Sequence, residues 1–205
     1  MNALLPNDFR SMISSEEIAR LPIQRYEGEI CVIATSEALD LAMADIRQES
    51  VVGFDTETRP AFHKGEEYLP SLVQAATARR VYLMQLQHLD FSGALAELLA
   101  APHIIKAGVA LAGDLTQLKR LFPLEPVAVA DLGRMAKRNG CKQTGLRNLA
   151  ALFLGARIPK GARTTNWSAP RLTPAQIGYA ATDAWISREL YLRFQQQGWG
   201  VRPPE

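Results

Sequence analysis

The stretch "VVGFDTET", residues 51–58, decides how the rest of the chain is read. Four mostly apolar residues run straight into two carboxylates, Asp55 and Glu57, spaced two apart. Side chains two apart on a strand share a face, so Asp55 and Glu57 converge while Phe54 and Thr56 point the other way. Carboxylates at the end of a buried strand cost free energy unless something offsets their charge. Hard divalent cations such as Mg²⁺ take oxygen ligands, and converging carboxylates supply them.

Working outward, short β-branched or apolar runs bounded by turn residues predict further strands over 29–34, 71–77, 80–86, 103–109 and 126–132. Helical patterns fall between them at about 36–48, 91–100, 111–121, 132–139 and 145–154. Strands alternating with helices imply an α/β fold, a mixed sheet flanked by helices. The stretch "GARIPKGARTTNWSAPRL", residues 155–172, reads as a long loop. The helix after it is the best defined. Thr173 caps it, Pro174 takes the favoured first position, Gln176 completes a capping box, and Gly198 stops it. On that helix Tyr179 and Asp183 are four apart and project from one face.

Composition narrows the class. The 205 residues suit about one domain, and 47% hydrophobic content suits a buried core. Two cysteines, Cys31 and Cys141, stand far apart, which argues against a disulfide scaffold or a thiolate zinc site. Cys141 reads as a free thiol in a polar, basic loop. No basic region followed by an apolar core opens the chain, and no window supports a membrane span, so the expectation is a soluble, cytoplasmic protein. The net charge of +2 conceals an asymmetry: residues 1–131 carry 18 acidic and 11 basic side chains, whereas residues 132–182 carry nine basic and no acidic ones. Such a block fits a polyanionic partner, nucleic acid above all, or else a solvated basic surface.

A third carboxylate, Asp114 in "IIKAGVALAGDLTQLKR", follows an apolar strand at the start of an amphipathic helix. It reads either as a helix N-terminal acid favoured by the dipole or as a further metal ligand. Two rival enzyme classes lack their motifs. "DTE" has no glycine and no second copy for an aspartic protease, and no phosphate-cradling G-x-x-x-x-G-K-[ST] loop is present.

The order of the three pieces resembles the DEDD superfamily of 3′–5′ exonucleases: Asp-x-Glu on a strand, a later Asp after a strand, and Tyr-x-x-x-Asp on a late helix. The tyrosine resembles the branch with Tyr rather than His in the third motif. "NWS", the Leu-Thr-x-x-Gln helix start and "YAATDA" are similar to the same region of ribonuclease D and Werner-type exonuclease domains, and "SLVQAAT" resembles the strand after the first motif. The resemblance spans about residues 28–195.

It implies a ribonuclease H-like fold with a five- or six-stranded mixed sheet and helices on both faces. It also implies catalytic residues Asp55, Glu57, Asp114, Tyr179 and Asp183, with the four acids holding two divalent ions, Mg²⁺ or Mn²⁺. The expected partner is DNA or RNA with a free 3′ end, with no membrane and no required protein partner. Arg157, Lys160 and Arg163 are the candidate backbone-binding cations, and Trp167 reads as a loop anchor in the core rather than a base-stacking platform. Residues 1–27 read as an N-terminal extension, 28–197 as the exonuclease domain and 198–205 as a tail. The rival reading is a catalytically inactive nucleic-acid-binding module on the same fold.

Overall fold

A computed structural model describes residues 10–162 and 164–200. In chain order the elements are α1 (Ser15–Arg20), β1 (Glu29–Ile33), α2 (Ser36–Ile46), β2 (Val51–Thr58), β3 (Pro70–Ala76), β4 (Arg80–Gln85) and α3 (Ser92–Ala100). Then follow β5 (Ile105–Gly108), α4 (Leu111–Leu118), β6 (Val129–Asp131), α5 (Leu132–Arg138), α6 (Leu146–Leu154) and α7 (Pro174–Gln196). The strands and long helices fall where periodicity predicts them. The short α1 carries no such signal.

The six strands form one mixed sheet in the order β1-β4-β3-β2-β5-β6. β3 runs antiparallel to both β2 and β4, and the other pairs are parallel. β2, which carries the Asp-x-Glu pair, is therefore an interior strand, between β3 and β5.

Alternation along β2 assigns its two faces. Val52 and Phe54 join a core with Met43 and Ile46 of α2, Leu95, Leu98 and Leu99 of α3, and Leu111, Leu115 and Leu118 of α4. The opposite face packs on α5, α6 and α7, through Val51, Ala107 and Ala130 against Leu132, Leu149, Ile186 and Leu190. Leu72, Ala76 and Leu83 extend that face towards Ala180, Ala181 and Ala184 of α7. Small side chains let α7 lie close to the sheet. Gly53 is the tightest point, because a Cβ there would sit 1.9 Å from the carbonyl oxygen of Ala184. This approach fixes the height of Asp183, one residue earlier on the helix, above the end of β2.

The start of α7 is tied down as the capping box requires. The Gln176 N–H donates to Thr173 Oγ1 at 3.2 Å, and the Thr173 N–H donates to Gln176 Oε1 at 2.9 Å. Gln176 is itself buried, and its Nε2 donates to Thr165 Oγ1 and to the Asn166 carbonyl, which joins the preceding loop to the helix. Trp167 is fully buried and packs on the Tyr179 ring at 6.0 Å between centroids, the anchor that the sequence indicates. Cys141 lies in the loop between α5 and α6 and is free, as the sequence indicates, but its side chain turns inward. The residue is 4% exposed in the core under α5 and α6, where burial pushes its thiol up to about 11.

A buried cation gives the fold a testable pH dependence. Lys106 on β5 has no exposed surface, and its ammonium donates to the Ala101 carbonyl at the end of α3, at 2.7 Å. Burial lowers its pKa from 10.5 to about 8. Below pH 8 folded and unfolded chains both carry the proton, and the full burial cost is felt. Between 8 and 10.5 the folded chain sheds it first, so this group's share of the stability rises with pH. Lys106→Met keeps the apolar stem and removes the charge. Chemical denaturation at pH 7 and pH 9.5 should show the wild type gaining about 2 kcal/mol more than the variant over that interval. Equal gains would mean the ammonium is solvated.

Candidate active site

β2 delivers its carboxylates to the floor of a cleft of about 920 Å³, lined by Asp55, Thr56, Glu57, Asp114, Tyr179 and Asp183 among others. Three segments meet there. Asp55 and Glu57 come from the end of β2, Asp114 from the first turn of α4, and Tyr179 and Asp183 from one face of α7. Sheet order explains the meeting. β5 lies beside β2 and runs parallel to it, so the turn into α4 emerges next to the end of β2 that carries Asp55. That turn is tight: Ala110 adopts a left-handed conformation with φ of 61°, which is costly for a residue with a Cβ.

Burial and like charge dominate the electrostatics. Asp183 and Glu57 are 7% and 9% exposed. The Asp55 carboxyl is held well above the usual carboxylate range, first by burial and then by Asp183, Glu57 and Asp114. Among the described residues the Thr56 N–H, donating to Asp55 Oδ1 at 2.9 Å, acts in the other direction. Burial pushes the Asp114 carboxyl up to about 6, against the effect of a hydrogen bond from Thr56 Oγ1 at 2.9 Å. Thr56 therefore serves both carboxylates, one through its backbone and one through its hydroxyl. In the sequence it stands between Asp55 and Glu57, and alternation sends its side chain, with Val52 and Phe54, to the face covered by α4, where Asp114 lies. The Tyr179 hydroxyl is pushed above its ordinary range by burial, by the charges of Asp183, Glu57 and Asp55, and by a hydrogen bond to Asp183. It stays protonated across neutral pH and so serves as a donor.

The donor set fits a divalent cation. It is all oxygen, and three neighbouring carboxylates raise Asp55. Among the described residues no three His, Cys, Asp or Glu side chains close on one point as a finished metal shell.

The basic block divides. Arg147, Arg157 and Lys160 line the cleft beside the acids. Arg134, Lys137, Arg138, Lys142 and Arg171 are exposed and do not line it. Nothing in the sequence sets Arg147 apart from the rest of the block; its place in the cleft is visible only in the fold. Arg163 lies outside the described residues. His63 is exposed and does not line the cleft.

An acid-floored cleft on a mixed six-stranded sheet, with helices on both faces, defines the ribonuclease H-like class. The structure is similar to the crystal structure of the Nibbler EXO domain of Aedes aegypti, with a TM-score of 0.76 over 86% of this chain and 91% of that one, at 22% identity. A family model described as 3′–5′ exonuclease matches residues 30–199. The chain belongs to this 3′–5′ exonuclease family, a family of hydrolases within the DEDD superfamily. It is 35% identical to ribonuclease D of Gluconacetobacter diazotrophicus over 165 residues, which is 78% of this chain and 41% of that protein. It is 27% identical to a 3′–5′ exonuclease of Arabidopsis thaliana over 220 residues, which is 91% of this chain and 76% of that protein. The chain thus spans less than half the length of that ribonuclease D. No helix of the described residues is long and apolar enough to cross a membrane.

Proposed function

We propose that the protein is a metal-dependent 3′–5′ exonuclease that removes nucleoside 5′-monophosphates from the 3′ end of DNA or RNA. The observation that carries this reading is the convergence of Asp55, Glu57, Asp114, Asp183 and Tyr179 in one cleft whose rim bears Arg147, Arg157 and Lys160. Asp55, Glu57, Asp114 and Asp183 would together hold two divalent ions, Mg²⁺ or Mn²⁺. Such ions, when bound, supply a nucleophile near neutral pH and stabilise the departing 3′ oxygen.

The chain's own groups do the rest. The Tyr179 hydroxyl donates a hydrogen bond that orients the attacking water. Thr56 holds Asp55 and Asp114 at a fixed separation. Arg157 and Lys160 neutralise backbone phosphates beside the acids, and Arg163, three residues further along the sequence, is the remaining candidate cation. A cytoplasmic setting suits two cysteines that are both free.

The test offers matched 5′-labelled DNA and RNA, single-stranded and duplex, with Mg²⁺ and with Mn²⁺. A ladder shortening from the 3′ end, abolished by chelator, is the expected result. Oligonucleotide binding with no ladder under any condition would favour the inactive binding module instead. The cations carry their own expectation. Affinity for a single strand should fall with salt at a slope of about −0.7 per phosphate neutralised. Arg157→Gln together with Lys160→Gln should flatten that slope by about 0.7 for each phosphate left without its cation. An unchanged slope would mean that both side chains face solvent in the complex.

A further inference from the structure

The rim of the cleft is not built only by the segments that carry the acids and cations. Residues 10–27 run along it, and Ser15, Ile18, Ala19 and Ile23 line the cleft. Hydrogen bonds fasten this arm along its length. The Lys142 N–H donates to the Ser11 carbonyl at 2.9 Å, the Arg157 N–H to the Pro22 carbonyl at 2.9 Å, and the Gln24 N–H to the Arg157 carbonyl at 3.0 Å. The Ile13 N–H donates to Gln143 Oε1 at 2.8 Å and the Tyr26 N–H to Thr182 Oγ1 at 3.1 Å. The arm is thus clamped to the segment that bears Arg157 and to the helix that bears Asp183.

Between these clamps α1 is capped at its N-terminus by Ser14 and Glu17, yet it has six residues and buries none of them. So short a helix gains little stability from itself. Its apolar side chains are directed into the cleft instead of the core, and Ile23 just beyond it is 52% exposed. They share the cleft with Arg147, Arg157 and Lys160, and Ile23 is bridged to Arg157 through the backbone. Nε of Arg157 is buried with no hydrogen-bond partner among the described residues. A rim that sets aliphatic side chains beside cations matches an unpaired strand, which offers phosphates to the cations and bare base faces to the apolar groups. In a duplex the base faces are already stacked on their neighbours, so the apolar part of the rim has nothing to cover.

We propose that residues 10–27 form a side wall of the substrate groove, in which Ile18 and Ile23 pack against base faces of an unpaired strand and select single-stranded 3′ ends. This rests on the exonuclease reading for the strand end that is engaged. The test replaces both side chains, as Ile18→Ser with Ile23→Ser. Neither is buried, so the fold should persist, as circular dichroism and thermal melting would show. Binding of fluorescein-labelled 12-mers, single-stranded and blunt duplex, is read by anisotropy with Ca²⁺ in place of Mg²⁺. Single-strand affinity should fall about 5- to 30-fold, the worth of aliphatic packing on one or two bases. Duplex affinity should change less than about twofold, and Ile18→Leu with Ile23→Leu should restore the preference.

Single-strand affinity within about twofold of wild type would overturn the wall. So would equal losses on both substrates, or a wild type that binds duplex as tightly as single strand. Cleavage of the single strand by the wild type is scored separately. Cleavage with normal binding by the serine variant overturns the wall alone. No cleavage, with binding that depends on the two isoleucines, supports the wall and overturns only the exonuclease reading.

Discussion

Asp55→Ala and Asp183→Ala are each expected to abolish hydrolysis while leaving the protein folded. Asp55 feels the charge of each of the other three acids lining the cleft, so its loss removes the most strongly coupled carboxylate of the proposed cation site. Metal assistance supplies several kcal/mol of transition-state stabilisation, and each 1.36 kcal/mol is tenfold in rate, so a fall of about 10³-fold or more is expected. Stability should move the opposite way. A carboxyl whose pKa is raised by folding costs stability once it ionises. For Asp114, pushed from 3.8 up to about 6, that cost develops as the pH rises through this interval. Asp55 behaves in the same direction. Asp55→Asn should therefore raise the melting temperature of metal-free protein at pH 7.5 and lose this advantage below pH 4. Added Mg²⁺ should stabilise the wild type and not the variant. Retained activity with Mg²⁺ would remove the residue concerned from the ligand set.

Tyr179→Phe separates water orientation from metal binding. The ring packs on the buried Trp167, and phenylalanine keeps that packing, so α7 and Asp183 should stay in place. Only the hydroxyl is removed, the group that faces the acids. Metal and oligonucleotide affinity should remain near wild type while single-turnover rates at saturating enzyme fall about 10²–10⁴-fold. Single turnover isolates chemistry from binding. A rate within about threefold of wild type would mean that Tyr179 serves packing alone, with its hydroxyl merely satisfied by Asp183.

Sequence alone determines those parts of the site that depend on local geometry. The two-residue period of a strand puts Asp55 and Glu57 on one face, and the four-residue spacing on a helix aligns Tyr179 with Asp183. The capping box at Thr173 and Gln176 is equally local, and the structure forms it as written. Even the alternation of strands and helices is legible, because each element declares its period within a few residues.

Strand order is decided only in the tertiary structure. No periodicity places β1 against β4 or sets β3 antiparallel between β4 and β2, because pairing is chosen by residues far apart in the chain. That order brings β5 beside β2 and so gives Asp114 its place near Asp55. The reach of Thr56 to Asp114, and the division of the basic block into cleft and surface, follow from the same packing. So does the course of residues 10–27, whose partners Gln143, Arg157 and Thr182 lie more than a hundred residues away along the chain. Local pattern fixes which way a side chain points from its own element. What it points at depends on which elements the whole core brings together.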